Sequence, residues 1–192
     1  MKAFVLAAFA TAAFAASAHA IEHVYTTVDL KACKHTAGKA EEYYGVWICP
    51  GHAGISVRIS GGDQRVFVSY GPKAKGELAN RETLLSFNGE GSTIEWRIAP
   101  ETKKPFAAIM RWSTTVTADN GAITRGQVLV VTRLGLGGVC HVAYVDGRAN
   151  PDANELARKA ADERAPKFKC GVDAPDSVGQ TGPGYSPRWL MH

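Results

Sequence analysis

Hydrophobic and polar residues alternate in several short stretches of this chain, which is the pattern of β-strands with one buried face. The clearest example is residues 55–60 (ISVRIS), in which each apolar side chain is followed by a polar one. Residues 65–70 (RVFVSY) again place apolar or aromatic side chains at every second position. Residues 61–63 (GGD) separate the two stretches and are typical of a tight turn. The pattern therefore predicts a β-hairpin over residues 55–70.

Similar stretches recur along the chain and are rich in β-branched and aromatic residues. The further predicted strands cover residues 43–49, 83–87, 93–98, 106–117, 127–134 and 139–145. Asp119-Asn120-Gly121 is a hairpin signal, and residues 127–134 are apolar on both faces, as expected of a central strand. The predicted fold class is mainly β (a β-rich α+β chain): an antiparallel sheet of about seven to eight strands, either a barrel or a sandwich, with one C-terminal helix.

That helix is predicted over residues 150–165. Asn150 is a suitable N-cap and Pro151 suits the first helical position, whereas Pro166 stops the helix. Alanine dominates the apolar side of the segment, and Leu156 is its one large apolar residue. Such a narrow stripe lets a helix lie close to a sheet, but it buries little area.

The first twenty residues have a different pattern. Lys2 precedes an apolar run over residues 3–16, and a small-residue triplet follows at residues 18–20 (AHA). This is the organisation of a cleaved signal peptide, and the run is shorter than the roughly 20 apolar residues that span a bilayer. We therefore expect cleavage after Ala20 and a periplasmic or secreted protein without a transmembrane anchor.

The 172 residues that remain are enough for one domain with a substantial core. We assign residues 21–170 to a single β-rich domain and residues 171–192, which are rich in Gly and Pro, to a flexible tail. The apolar residues 188–191 at its end either dock on the domain or bind a partner. Lys2 is the only charged side chain removed, so the formal net charge falls from +4 to +3. This charge is spread without a basic block, which argues against nucleic acid as a partner.

Four cysteines lie in the mature region: Cys33, Cys49, Cys140 and Cys170. In an oxidising compartment this even number predicts two disulfides. Of the three possible pairings we favour Cys33–Cys49 and Cys140–Cys170, because each pair lies in its own half of the chain. A zinc site is the alternative, since residues 49–52 form a C-x-x-H motif and Cys140 precedes a histidine. The spacing does not match a zinc finger and the C-x-x-C-H motif of c-type haem is absent, so we expect no metal and no cofactor.

The sequence contains no G-x-S-x-G, H-E-x-x-H, S-x-x-K or P-loop motif, and its catalytic residues are unknown. Residues 135–138 (GLGG) are predicted to form a turn between strands, since they do not open a helix that could hold a phosphate. Two histidines are candidates for ligand contacts: His52 in a turn and His141 on a strand. Because strand side chains alternate, a core-facing Cys140 places His141 toward solvent.

Residues 47–71 (WICPGHAGISVRISGGDQRVFVSYG) resemble the opening of bacterial periplasmic C-type lysozyme inhibitors. The shared features are an aromatic-x-Cys, a short turn, an alternating strand, a polar turn and a second strand. The resemblance implies a small disulfide-bearing β-barrel that inserts polar residues into a lysozyme cleft. This chain is longer, adds a helix and lacks the Ser-Gly-x-x-Tyr segment of that family, so no inhibitory residue is carried over. The segment from Cys140 through Cys170 resembles small uncharacterised secreted proteins of Gram-negative bacteria.

The export signal, the cysteines and the missing motifs together predict a non-enzymatic domain that binds a protein or a component of the cell envelope. Two alternatives remain open. One is an inhibitor of a cell-wall lytic enzyme, as the lysozyme-inhibitor resemblance implies. The other is a hydrolase with an unrecognised site near His141. The missing motifs favour a protein that is not an enzyme.

Overall fold

The computed structural model describes residues 21–38 and 45–190. The predicted signal peptide, residues 1–20, and the first two residues of the predicted strand 43–49 lie outside the described residues. Within the described ranges, no helix is long and apolar enough to cross a bilayer.

The described part of the chain is mainly β, as predicted, with a single α-helix, α1 (Ala153–Arg164). The thirteen strands found there are β1 (Glu22–Thr27), β2 (Lys34–Ala37), β3 (Gly45–Cys49), β4 (Val57–Gly62), β5 (Arg65–Tyr70), β6 (Glu82–Leu84), β7 (Phe87–Gly89), β8 (Thr93–Ile98), β9 (Pro105–Thr117), β10 (Ile123–Arg133), β11 (Cys140–Asp146), β12 (Asp176–Val178) and β13 (Arg188–Leu190). Eight of these strands have five or more residues, and the other five have three or four.

Three sheets are formed by these strands. The largest has the order β1-β8-β9-β10-β11-β12, with β7 beside the second half of β9. A four-stranded sheet has the order β2-β3-β4-β5, and β13 pairs with β6. Among the described strands no sheet closes into a barrel, so the barrel implied by the resemblance of residues 47–71 does not form there. The two larger sheets share one hydrophobic core, an arrangement consistent with a sandwich.

The seven-stranded sheet is buried on both faces. Met110 and Trp112 of β9 pack on one face, in the same core as Ile59 of the four-stranded sheet. Ile109 of β9 points to the other face and packs in a second core with Ala157 of α1. Alternate residues of a strand point to opposite faces, which is why the central strands β9 and β10 are apolar at successive positions.

Both predicted hairpins form, with one difference in the position of a turn. β4 continues through Gly62, which pairs with Arg65, and the turn is made by Asp63 and Gln64 with φ of 50° and 57°. Two residues in the left-handed region match the twist of the flanking strands. The second hairpin joins β9 to β10, and its turn contains Gly121 at φ of 81°.

Helix α1 lies where the sequence predicts it, but its N-terminus differs. The helix begins at Ala153, and no side chain caps it. Asn150, the predicted cap, instead donates its amide to the carbonyls of Asp146 (2.9 Å) and Gln180 (2.8 Å) and accepts the Gln180 N–H (2.9 Å). The predicted cap is therefore wrong, because the C-terminal segment passes beside Asn150 and occupies its side chain. The buried residues of α1 are all alanines.

The two disulfides are Cys33–Cys49 and Cys140–Cys170, which confirms both predicted pairings. The first joins the segment before β2 to the end of β3. The second joins the start of β11 to the segment that follows α1. Since all four sulfur atoms are in disulfides, the alternative zinc site with cysteine ligands does not form.

Residues 171–190 belong to the segment that its Gly and Pro content predicts to be a flexible tail, yet they contribute two strands. β12 runs parallel to β11, and β13 pairs antiparallel with β6, so the predicted docking of residues 188–191 occurs through its described part. Between these strands, the Gly182 N–H donates to Asp146 (2.7 Å) and the Thr114 hydroxyl donates to the Gly184 carbonyl (2.7 Å). Hydrogen bonds to its backbone groups hold this segment on the domain. Because such bonds do not require apolar side chains, the sequence of the segment shows no hydrophobic pattern.

Replacing Gly126 by alanine will loosen the C-terminal segment. A Cβ atom there would overlap the carbonyl oxygen of Gly184, which is backbone and has no rotamer to change. We expect a loss of about 1–3 kcal/mol in the free energy of unfolding, measured by urea denaturation. Gly76→Ala is the matched control, because a Cβ atom there meets nothing within 4 Å. Equal stability of the two variants would show that the segment is not docked at Gly126.

Candidate functional site

A large groove lies at one end of the two packed sheets. Its volume is about 770 Å³. Its walls come from the β3–β4 loop, the loop after β5, the β8–β9 loop and the β10–β11 loop. We call it the loop-end groove, and its lining residues are Ala53, Ile55, residues 70–73, Glu77, Lys104, Pro105 and residues 134–139. These four loops meet because β3, β5, β8 and β10 all end at this side of the molecule.

The floor of the loop-end groove is apolar and continues the main hydrophobic core. Tyr70, Leu134 and Val139 line the groove and belong to that core, and Ile55 packs against it. Tyr70 is held against Trp96, with the ring centroids 5.6 Å apart and the planes nearly perpendicular. Burial raises the pKa of the Tyr70 hydroxyl, so it stays protonated. Its hydroxyl has no hydrogen-bond partner among the described residues, which leaves it free to donate to a ligand.

One wall of the groove is the Gly-rich loop, residues 135–138, which connects β10 to β11 as a turn, as predicted. Gly135, Gly137 and Gly138 all have φ near or above 90°, a region that other residues rarely adopt. The guanidinium of Arg133 donates to the carbonyls of Leu136 (2.7 Å) and Gly138 (2.6 Å). These charge-assisted bonds fix the backbone of the Gly-rich loop although its residues are small.

The rim of the groove is positively charged. Lys73 and Lys104 are exposed, and neither forms an ion pair with any residue in the described ranges. The acidic lining residue, Glu77, is engaged, since its carboxylate accepts the N–H of Val139 at 2.8 Å. The groove therefore combines an apolar floor with two available cations, which suits a ligand that has an apolar body and an anionic group.

His52, one of the two candidate histidines, lies beside the loop-end groove. It is half-buried at the start of a short 3-10 turn that spans His52–Gly54, and its ring centroid is 6.3 Å from that of Trp96. The next residue, Ala53, lines the groove. The structure therefore places His52 next to the candidate site, although its own side chain is not part of the lining.

His141, the other candidate, is not at the surface. The sequence predicts that it faces solvent, but it is only 1% exposed. Cys140 faces the core shared with α1, but the opposite face of β11 is also covered, and His141 lies there against Trp112 and Tyr144, with its backbone N–H bonded to Glu82 of β6. The prediction is wrong because the pattern of one strand does not reveal a second sheet above it.

A β-bulge positions His141 in this buried layer. Val131 pairs with Ala143 whereas Thr132 pairs with His141, so one extra residue is inserted into β11. The insertion places His141 and Tyr144 on the same face, with 2.8 Å between Nδ1 and the phenol oxygen. Burial lowers the pKa of His141 to about 3, with a smaller contribution from Arg188. The imidazole is therefore neutral and closed off from solvent.

Glu82 is a buried acid that the sequence analysis missed. Its carboxylate accepts the backbone N–H of His141 (2.7 Å) and lies 3.5 Å from the guanidinium of Arg188 on β13. Burial raises the pKa of Glu82 to about 7, against the opposing effects of the His141 N–H, Arg188 and Arg81. The only signal in the sequence is an acidic residue at the edge of the predicted strand 83–87, which is too common to identify a buried site.

The chemistry of a metal centre has no support in the described ranges, where no three His, Cys, Asp or Glu side chains are grouped to hold an ion. Sequence reasoning also missed the residues of the loop-end groove, apart from the turn at 135–138. Tyr70, Lys73 and Lys104 lie far apart along the chain, and only the fold brings them together. No protein-family model, curated protein or solved structure matches this chain.

Proposed function

We propose that this chain is an exported, non-enzymatic binding protein of the cell envelope and that the loop-end groove is its ligand site. The observation that supports this proposal is the apolar groove of about 770 Å³ with two unpaired lysines on its rim. Pockets of this size and composition hold small organic ligands. The ligand that fits is an amphiphile with an apolar body and one acidic group.

The two parts of such a ligand would each meet a different part of the groove. Its apolar body would cover Ile55, Leu134 and Val139 and release water from their surfaces. Its acidic group would lie near Lys73 and Lys104, where attraction is weakened by salt but not lost. The free hydroxyl of Tyr70 can donate a hydrogen bond between these two regions.

A dansyl-labelled long-chain fatty acid is the probe that tests the proposal, because it combines an apolar chain with a carboxylate. We expect its fluorescence to rise on titration with the protein and to saturate at one probe per chain. Ile55→Trp fills the groove with a larger side chain, and we expect it to weaken binding by tenfold or more. Ile123→Trp is the matched control, since Ile123 is 66% exposed in the β9–β10 hairpin at the opposite end.

Equal affinity of Ile55→Trp and Ile123→Trp for the probe would refute the loop-end groove as the ligand site. Circular dichroism and urea denaturation of both variants confirm that each is folded. A loss of binding in both variants would likewise count against the groove, because it would show that the probe binds the surface without selecting a site.

Inhibition of a cell-wall lytic enzyme is the second candidate function. It is favoured by the strand-turn-strand pattern of residues 47–71, which the structure forms as β3, β4 and β5 with Cys49 in a disulfide. A lysozyme turbidity assay with the purified protein tests it directly. The hydrolase alternative near His141 has less support, because burial keeps this histidine neutral and away from any substrate.

A further inference from the structure

Leu136 is a large apolar residue that belongs to neither hydrophobic core. It is 98% exposed at the tip of the Gly-rich loop, at the mouth of the loop-end groove. A side chain with this exposure adds nothing to the interior of the groove. Arg133 holds the carbonyl of Leu136, so the loop presents the side chain from a fixed backbone. Leu136 is also a lining residue of the groove, so its exposed side chain extends the apolar surface of the groove out to the mouth, and continuous exposed apolar surface of this kind is typical of interaction sites.

A second exposed apolar residue follows a segment that lies beside the same loop. A Cβ atom placed on Gly138 would be 3.2 Å from the Cβ of Cys170, so Cys170 is next to the Gly-rich loop. Cys170 is tied by its disulfide to the start of β11, and Val172, two residues further along the chain, is 78% exposed.

The charges around the mouth select among the surfaces that could cover these residues. Lys73 and Lys104 flank the groove without ion-pair partners among the residues described, and Glu77 is bonded to the backbone of Val139. An exposed leucine at the mouth of an apolar groove with two lysines in its lining matches the interface of an anionic bilayer, where apolar side chains insert below the headgroups and lysines meet the phosphates.

We propose that the surface around the mouth of the loop-end groove, which we call the loop end, docks on an anionic lipid bilayer. Leu136 inserts into the bilayer, and Lys73 and Lys104 contact the lipid headgroups. This inference deepens the proposed function and rests on it for one point, that the ligand in the groove is a lipid of that bilayer. Docking places the mouth of the groove against the lipid surface, so an acyl chain can enter the groove without crossing water.

Sedimentation of the protein with vesicles tests the docking. We expect binding to phosphatidylglycerol vesicles, much weaker binding to phosphatidylcholine vesicles, and a decrease with added salt. Leu136→Ser should weaken binding to phosphatidylglycerol vesicles about tenfold. Lys73→Gln and Lys104→Gln should each weaken it about fivefold.

The matched controls lie in the β9–β10 hairpin at the other end of the molecule. Ile123→Ser removes an exposed apolar side chain and Arg125→Gln removes an exposed cation, and neither should change vesicle binding. Equal binding by Leu136→Ser and the unchanged protein would overturn the inference. Equal losses in the control and loop-end variants would also overturn it, since they would indicate attraction without a defined surface.

The docking and the proposed function fail in different ways. If the dansyl fatty acid binds and Ile55→Trp weakens it, but the protein does not bind phosphatidylglycerol vesicles, then the ligand is taken from solution and the docking is refuted alone. If the vesicles bind through Leu136 while the fatty acid does not enter the groove, then the loop end is a membrane contact and the proposed ligand site is refuted.

Discussion

Replacing both Cys140 and Cys170 by alanine will lower the free energy of unfolding by about 3–4 kcal/mol. This disulfide closes a loop of 30 residues, and its removal restores chain entropy to the unfolded state. The loss is large for this protein because the buried residues of α1 are all alanines, so the helix adds little apolar area to hold itself on the sheet. Urea denaturation measures the difference, with the slope fitted separately for each protein, because removing a crosslink makes the unfolded chain less compact and changes the slope.

The second disulfide provides the comparison. Cys33–Cys49 closes a loop of 16 residues, so replacing both by alanine should cost somewhat less, about 3 kcal/mol. The 140–170 pair also lies beside the Gly-rich loop, since a Cβ atom placed on Gly138 would be 3.2 Å from the Cβ of Cys170. Its removal should therefore weaken fatty-acid binding, whereas removal of the 33–49 pair should not. A loss below about 1 kcal/mol in the 140–170 variant would contradict the role assigned to this crosslink.

Glu82 contributes a stabilisation of the folded protein that falls as the pH rises from about 4.5 to about 7. Its pKa is raised from 4.5 to about 7 in the folded protein, so folding favours the protonated carboxyl. The stabilisation from Glu82 is fully present below the pKa of its carboxyl in the unfolded chain. It is lost as the pH rises through the pKa of the same carboxyl in the folded protein. The full contribution is about 3 kcal/mol. Glu82→Gln removes this dependence and should be more stable than the unchanged protein at pH above 7.

His141 contributes the opposite dependence. Its pKa is lowered from 6.5 to about 3, so its stabilisation is present above the unfolded value and is lost as the pH falls toward 3. Between about pH 4.5 and 6.5 the stability contributed by Glu82 falls with pH, whereas that contributed by His141 rises. The combined contribution of these two residues to the free energy of unfolding should therefore be nearly constant in this interval. In Glu82→Gln only the pH dependence of His141 remains, so the free energy of unfolding of the variant should rise as the pH increases through this interval.

Urea denaturation at a series of pH values measures both dependences. Glu101→Gln, which alters an exposed acid in the β8–β9 loop, is the matched control and should follow the unchanged protein. If Glu82→Gln also followed the unchanged protein, then Glu82 would not be a buried, neutral carboxyl in the native state.

Local pattern was sufficient to predict much of this fold. Alternation over residues 55–60 and 65–70 predicts the β4–β5 hairpin, and the apolar character of residues 127–134 predicts a central strand, now β10. Both disulfide pairings followed from the oxidising compartment and from sequence separation. These features depend on neighbouring residues or on the chemistry of a single residue type, so the order of residues contains them.

The predictions that differ from the structure involve contacts between distant segments. Asn150 is a good cap by residue type, but the carbonyl of Gln180 takes its side chain. Residues 171–187 have no core-forming pattern, yet backbone groups of the C-terminal segment pair with β11 and β6. In each case a hydrogen bond to a remote backbone group decided the outcome, and such bonds are nearly independent of side-chain identity.

Periodicity and cysteine chemistry are properties of the chain, so they were enough to predict that the described part of this protein is built mainly from strands, with an alanine-rich helix and two disulfides. The packing of distant segments could not be predicted in this way. It covers both faces of the seven-stranded sheet, buries His141 and Glu82, and brings four loops together around an apolar groove with Lys73 and Lys104 at its rim. Solvent exposure and cavity shape arise from how separate segments pack, and no single segment contains them.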